Sequence, residues 1–253
     1  MSAPHYRMIT VQDQPETAAR IEAITQPAWP EFMHHDPVAR ENWHVLYEHF
    51  PEFQFVLLDA NTDFAVAAVN SIAVGWEGDA GDLPNEGWDW AMSKGADDVR
   101  QGVQPTVLCG LQVVIPPEHR GKGVSTHAVE AFKRIAKERG FRGMIVPVRP
   151  AWKCHYPITP MERYVRWLNE AGFPFDPWLR THVRVGGRIA EVCPRSMTIA
   201  GSVGEWESWT GLRFPESGNY VVPGALVPVE IDRERDEGTY VEPNVWVWHA
   251  PSA

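Results

Sequence analysis

Cysteine is scarce in this chain. The three present, Cys109, Cys154 and Cys193, make no even disulfide set and show none of the paired spacings that metal sites use. No apolar run approaches the roughly 18 residues of a membrane span, and no basic stretch followed by an apolar core marks a leader. These absences predict a reduced, cytoplasmic protein with no membrane partner. Basic residues are also in deficit, 23 Lys and Arg against 33 Asp and Glu, and the net charge of -10 disfavours nucleic acid, whose phosphates need a basic surface. Internal repeats and low-complexity tracts are missing. The one cluster that suggests a metal, His34-His-Asp36, lacks a third separated ligand, so it reads as a polar approach to a helix and no metal is expected.

What the chain does have is Leu111-Gln-Val-Val-Ile-Pro-Pro-Glu-His-Arg-Gly-Lys-Gly-Val-Ser125, an apolar strand running into a glycine-punctuated turn that opens a helix. Gly121 and Gly123 let the backbone approach a ligand closely. The first amides of the following helix lack internal partners and lie at the positive end of its dipole. Arg120 and Lys122 add positive charge. The layout suits a pyrophosphate, and its spacing excludes two common binders of one. A Walker loop needs Ser or Thr after Gly-Lys, where Gly123 stands, and a dinucleotide fingerprint needs a third glycine where Thr126 stands. Downstream, Val124, Ala128, Phe132, Ile135 and Ala136 recur at helical spacing up to Gly140, and Gly143-Met-Ile-Val-Pro-Val148 reads as a buried strand. Thr159-Pro160-Met161-Glu162 reads as a capping box opening a second helix, with Met161, Tyr164, Val165, Leu168 and Ala171 on its apolar face.

Arg120-Gly-Lys-Gly123-Val-Ser125 resembles the coenzyme A loop of the GNAT superfamily of N-acetyltransferases, with Ser125 in place of the usual final Gly or Ala. Strand, loop, helix, strand and helix follow in that family's order over residues 105–175. The resemblance implies an α/β (α+β) fold, a mixed central sheet flanked by helices. It implies acetyl-CoA or another acyl-CoA as cosubstrate, held by Val113, Val114, Ile115, Arg120, Gly121, Lys122, Gly123, Val124 and Ser125. The three residues before the loop correspond to those whose backbone bonds the pantetheine and the oxyanion. Upstream, Tyr6 to Val11, Phe53 to Leu58 and Phe64 to Trp76 read as strands, with helices over Pro15 to Thr25 and Val38 to His49.

The family's usual acid, a tyrosine four residues before Gly-Phe, corresponds here to Leu168. That departure leaves Tyr164 and Tyr156 as candidate catalytic residues, with Glu77, Glu86 and Glu162 as candidate bases. Acidic residues and tryptophans from Trp76 to Asp98 suit a cationic amine, or simply a solvated loop. The leading expectation is acyl transfer to a small-molecule amine by direct attack in a ternary complex. A noncatalytic acyl-CoA-binding protein and a protein N-acetyltransferase remain open alternatives. Residues 1–176 are expected to form the acyltransferase domain. Residues 177–253 are expected to form a β-rich extension that continues the sheet or makes a small subdomain, with Gly186-Gly187 as a hairpin turn.

Overall fold

Nine strands in one sheet organise the computed structural model, which describes residues 6–251. In chain order the elements are β1 (Tyr6–Thr10), α1 (Thr17–Thr25), α2 (Pro37–Asn42), α3 (His44–His49), β2 (Phe55–Asp59), β3 (Ala65–Val74) and α4 (Gly87–Gln101). There follow β4 (Val107–Val114), α5 (Val124–Glu138), β5 (Met144–Val148), α6 (Met161–Tyr164), α7 (Pro177–Arg184) and β6 (Arg188–Gly201). The last are α8 (Val203–Thr210), β7 (Gly218–Tyr220), β8 (Val229–Asp232) and β9 (Glu237–His249). The sheet order is β1-β2-β3-β4-β5-β9-β8-β7, with β6 also on β9. Pairing is antiparallel except between β4 and β5, so the expected mixed sheet is present.

Side-chain alternation assigns the two faces. Phe55 of β2 meets Phe132 of α5 at 5.7 Å between ring centroids, whereas its neighbours Val56 and Leu58 pack with Ile21 of α1 on the opposite face. By the same alternation Asn70 and Ile72 of β3 share the α1 side. A Cβ on Gly95 would stand 2.3 Å from Ile72 Cδ1, so α4 lies directly against that face. On β9, Trp246 meets Trp90 of α4 edge-on at 6.0 Å, which puts Asn244, Glu242 and Tyr240 on the α4 side as well.

Four local readings change. The acidic stretch from Trp76 is not a loop throughout: from Gly87 it is helix α4, capped by Gly102 in the left-handed conformation (φ 67°). The helix expected over Val38 to His49 is broken at Trp43 into α2 and α3. The second helix past residue 160 ends at Tyr164, and Pro160 rather than Thr159 caps it, without the box. Its apolar periodicity serves instead an aromatic cluster of Tyr156, Tyr164, Trp167 and Phe175, while Leu168 bridges Pro174 in a turn and is 61% exposed. Finally, Gly186 (φ 87°) closes α7 before β6 begins, so Gly186-Gly187 is a helix-to-strand junction and not a hairpin. Among the described residues no helix is long and apolar enough to cross a membrane.

Candidate active site

The glycine loop lies between the end of β4 and the start of α5. Gly121 and Gly123 have φ of 75° and 80°, which an L side chain adopts at a cost, and a Cβ on either would meet nothing within 4 Å. Their α-carbons therefore border open space. The backbone amides from Gly121 to Ser125 have no acceptor among the described residues, while those of Thr126 and His127 already bond the Gly123 carbonyl (3.1 and 3.3 Å). A row of free donors at the head of a 15-residue helix is an anion cradle. Buried Val124 anchors the helix start, and Arg120 Nε reaches back to the Ile115 carbonyl (3.0 Å), closing the loop on the strand. Lys122 stays exposed.

Beside the loop the sheet is split. Parallel β4 and β5 pair only through Leu108–Met144 and Cys109–Ile145, and from Gly110 onward β4 has no partner on that side. Two sequence features account for this. Leu111 forms a bulge against β3, and its carbonyl accepts from Trp88 Nε1 (3.0 Å). Pro147 of β5 lacks an amide with which to continue a ladder, although β5 stays registered with β9 through Val148. Val113 and Val114 keep their β3 register with Val69 and Ala68, and the Ile115 carbonyl is held by Arg120. Because the two strands are parallel, the glycine loop and the 149–160 segment leave the sheet at the same end, flanking the mouth of the split.

On the α4 side of the mouth lies a polar chain. Trp29 Nε1 donates to Gln112 Oε1 (2.9 Å), Gln112 Nε2 to Asn70 Oδ1 (2.7 Å), and Asn70 Nδ2 to Gln54 Oε1 (2.9 Å). The Arg149 guanidinium stands 5.7 Å above the Trp29 ring and bonds Glu242 through Nε at 3.0 and 2.9 Å. Glu242 also accepts from Tyr240 and Asn244 (2.7 and 3.0 Å). Burial opposes the charge on Arg149, but the Glu242 carboxylate beside it outweighs burial and holds Arg149 above its ordinary pKa. Next to this pair are Asp36, fully buried at the cap of α2, and Asp89 in the first turn of α4. Burial raises the pKa of both, and the charge of Asp36 adds to the rise at Asp89.

The candidate proton carriers are not equivalent. Tyr164 is buried, and its hydroxyl donates to Asp176 Oδ2 (2.9 Å); burial first, and the Asp176 charge second, hold it far above the usual phenol range. Tyr156 is 36% exposed on the segment following β5. Lys153, beneath it, donates to the carbonyls of Tyr156 and Leu226, and burial lowers it to about 8. Glu77 and Glu86 form exposed ion pairs with Arg142 and Arg195, and Glu162 is exposed on α6. His35 stacks on Trp209 (4.2 Å) and pairs with Glu31, away from Asp36. Among the described residues no group of three or more His, Cys, Asp or Glu is placed to hold a metal. Sequence reasoning held Asp89 only as one of the acidic residues from Trp76 to Asp98 that suit a cationic amine, and Asp36 only as part of a polar approach to a helix, and it missed Arg149 and Glu242. The readable signal was Asp36-Pro37, a cap followed by proline in the first helical position.

No family model matches the chain. The arginine N-acetyltransferase avaD of Aspergillus versicolor is 33% identical over 275 residues, covering 97% of this chain and 94% of that protein. Among solved structures, the loading GNATL domain of CurA from Lyngbya majuscula aligns with a TM-score of 0.58 at 18% identity, over 97% of this chain and 98% of that one. The GphF GNAT-like decarboxylase in complex with isobutyryl-CoA aligns with a TM-score of 0.54 at 17% identity, over 98% of this chain and 100% of that one.

Proposed function

The chain belongs to the GNAT superfamily and is a small-molecule N-acyltransferase, and we propose that it moves the acetyl group of acetyl-CoA to the α-amine of arginine or a closely similar guanidino amine. The observation that carries this reading is the two-sided mouth: an anion cradle and an unpaired strand edge on one side, a carboxylate-rich, tryptophan-lined wall on the other. The acceptor class comes from the 33% identical relative over nearly the whole of both chains.

In this reading the amides of Gly121 to Ser125 take the pyrophosphate, with Arg120 and Lys122 adding charge. The backbone of Val113, Val114 and Ile115 aligns the pantetheine and offers an amide to the oxyanion, an interaction that contributes about 3 kcal/mol to barrier lowering in comparable sites. The acceptor nitrogen attacks the thioester carbon, the C–S bond breaks with its electron pair on sulfur, and a proton lost by nitrogen is matched by one gained at sulfur. Tyr156 is the better placed tyrosine to deliver it, because the Tyr164 hydroxyl is engaged by Asp176. A guanidinium keeps its proton at neutral pH, whereas an α-amino group titrates several units lower, so the α-amine is the nucleophile. Residues 1–176 carry the coenzyme and proton machinery, and residues 177–253 supply Glu242 and the far wall of the acceptor side.

Purified protein incubated with acetyl-CoA and a panel of amines tests this. Release of CoA thiol with formation of Nα-acetylarginine is expected; preference for amines without a guanidinium overturns the acceptor, and no thiol release with any amine overturns the activity.

A further inference from the structure

Three carboxylates converge on the acceptor wall, and the chain treats them unequally. Glu242 is fully provided for: Arg149, Tyr240 and Asn244 donate to its two oxygens. Asp36 uses Oδ1 to accept the Ala39 amide (2.7 Å), and Asp89 uses Oδ2 to accept the Thr198 amide (3.1 Å). Asp36 Oδ2 and Asp89 Oδ1 are both buried with no partner among the described residues. The two side chains are within mutual hydrogen-bonding reach, and neither has an ion-pair partner among the described residues. Burying carboxylate oxygens without donors is costly, and burial with mutual repulsion raises both groups, so that the empty pair holds one proton between its facing oxygens. A cation from outside the chain that displaces this proton supplies the donors in its place.

The missing donor set has a recognisable shape. Asp36 and Asp89 come from separate helices, and each turns one free oxygen to the same place, which matches the fork of N–H donors on a planar guanidinium better than the point charge of an ammonium. The surroundings offer flat aromatic faces: Trp88, preceding Asp89, stacks on Trp43 (6.3 Å), and Trp90 meets Trp246. The chain's own Arg149, bound to Glu242 over Trp29, shows that this wall already accommodates one guanidinium in that manner. Continuity with the mouth is direct, through Gln112, Trp29, Arg149 and Glu242 in sequence of contact.

We infer that Asp36 and Asp89 form the specificity subsite of the acceptor pocket, clasping the guanidinium of the substrate between their free oxygens while its α-amine points to the split between β4 and β5. The inference rests on the reading of the acceptor as a guanidino amine. It adds which residues of this chain distinguish that amine from its neutral or ammonium analogues.

Arginine and citrulline differ at that end by charge and donor count with little change in size, so they make the test. Wild-type enzyme is expected to favour arginine over citrulline in kcat/KM, and arginine in the presence of CoA is expected to raise the melting temperature while citrulline does not. In Asp89→Asn and in Asp36→Asn the arginine-over-citrulline ratio should fall by about 30-fold or more, the usual effect of removing one partner of a buried charged pair. Asp89→Glu should restore part of it. The melting shift given by CoA alone reports whether each variant is folded. Should Asp36→Asn unfold through loss of its cap on α2, the Asp89 pair decides. Folded Asp89 variants that keep the wild-type ratio overturn the subsite. A wild type that ignores arginine but acetylates other amines overturns the acceptor reading instead, and the two failures are therefore distinct.

Discussion

Replacing Gly123 separates the cost of a bent backbone from the cost of losing an anion site. With φ at 80° and nothing within 4 Å of the added Cβ, Gly123→Ala strains the free protein only through its backbone, by about 1–2 kcal/mol. For a chain of this size, that corresponds to a fall of roughly 2–8 °C in melting temperature. Gly123→Glu adds little further strain, because the side chain enters open space. With a pyrophosphate in the cradle the same carboxylate faces like charge, and two unit charges about 4 Å apart at an effective dielectric of 20 repel by about 4 kcal/mol. Allowing for salt and for movement of the side chain, we expect acetyl-CoA to bind about 100-fold more weakly or worse. Calorimetric titration of acetyl-CoA into both variants, alongside their melting curves, gives the two quantities separately. Gly123→Glu that melts within a few degrees of Gly123→Ala and binds acetyl-CoA as the wild type does would refute the assignment of the loop.

Other sites give equally direct tests. A Cβ on Gly87 would stand 2.2 Å from Ser196 Oγ and 2.9 Å from Cys193 Sγ, so Gly87→Ala should cost more than about 2 kcal/mol in urea unfolding; a loss near zero would mean that α4 is not seated on β6. Tyr164→Phe should lower stability by about 1–3 kcal/mol through the hydroxyl lost to Asp176 and leave kcat near wild type, whereas Tyr156→Phe should lower kcat with KM for acetyl-CoA retained; equal effects on kcat would refute the distinction. His182 Nδ1 and His249 Nε2 meet at 2.9 Å in the interior, and burial pushes His249 down to about 4 and His182 well below its ordinary value. Unfolded imidazoles bind protons more readily, so the pair's contribution is complete above about pH 6.5 and is lost as pH falls towards 4, by about 3 kcal/mol for His249 alone. Asp36 and Asp89, raised rather than lowered, act in the opposite sense. His249→Gln should therefore flatten the acid side of a stability profile measured between pH 7 and 4.5, and an unchanged slope would contradict the assignment.

What could be read from the sequence was what is encoded locally. The glycine loop, α5 and β5 follow one another without interruption, and their signals are turn chemistry and periodicity, so these elements appear in the structure where the sequence puts them. Helix α4 was hidden because Gly87, Gly95 and a run of aspartates look like loop composition. Its reasons lie elsewhere: Gly95 makes room for Ile72, and Asp98 accepts the Gly75 amide (2.7 Å) and pairs with Lys94. The periodicity of Tyr164, Val165 and Leu168 misled because an aromatic cluster built on a turn leaves the same imprint as a short amphipathic helix. That Asp89 belongs with three other charged residues in one cluster could not be read from the sequence, for a topological reason. Asp36, Asp89, Arg149 and Glu242 come from four separate segments, and only the placement of β9 against β5 brings Glu242 to Arg149.

That placement also governs how the chain can be made. β5 carries one lip of the split in the sheet, and its far edge is sealed by a strand ending at His249. During synthesis everything up to β5 emerges with a bare, apolar strand edge, Met144-Ile-Val-Pro-Val148, and must wait for about a hundred further residues before its partner arrives. The chain is thus committed to a long-range closing step, the slow kind, and it stays exposed to self-association until β9 has been made. A premature stop between β8 and β9 would leave the sheet open, so chaperone demand and codon choice over β9 should influence yield more than those over the glycine loop.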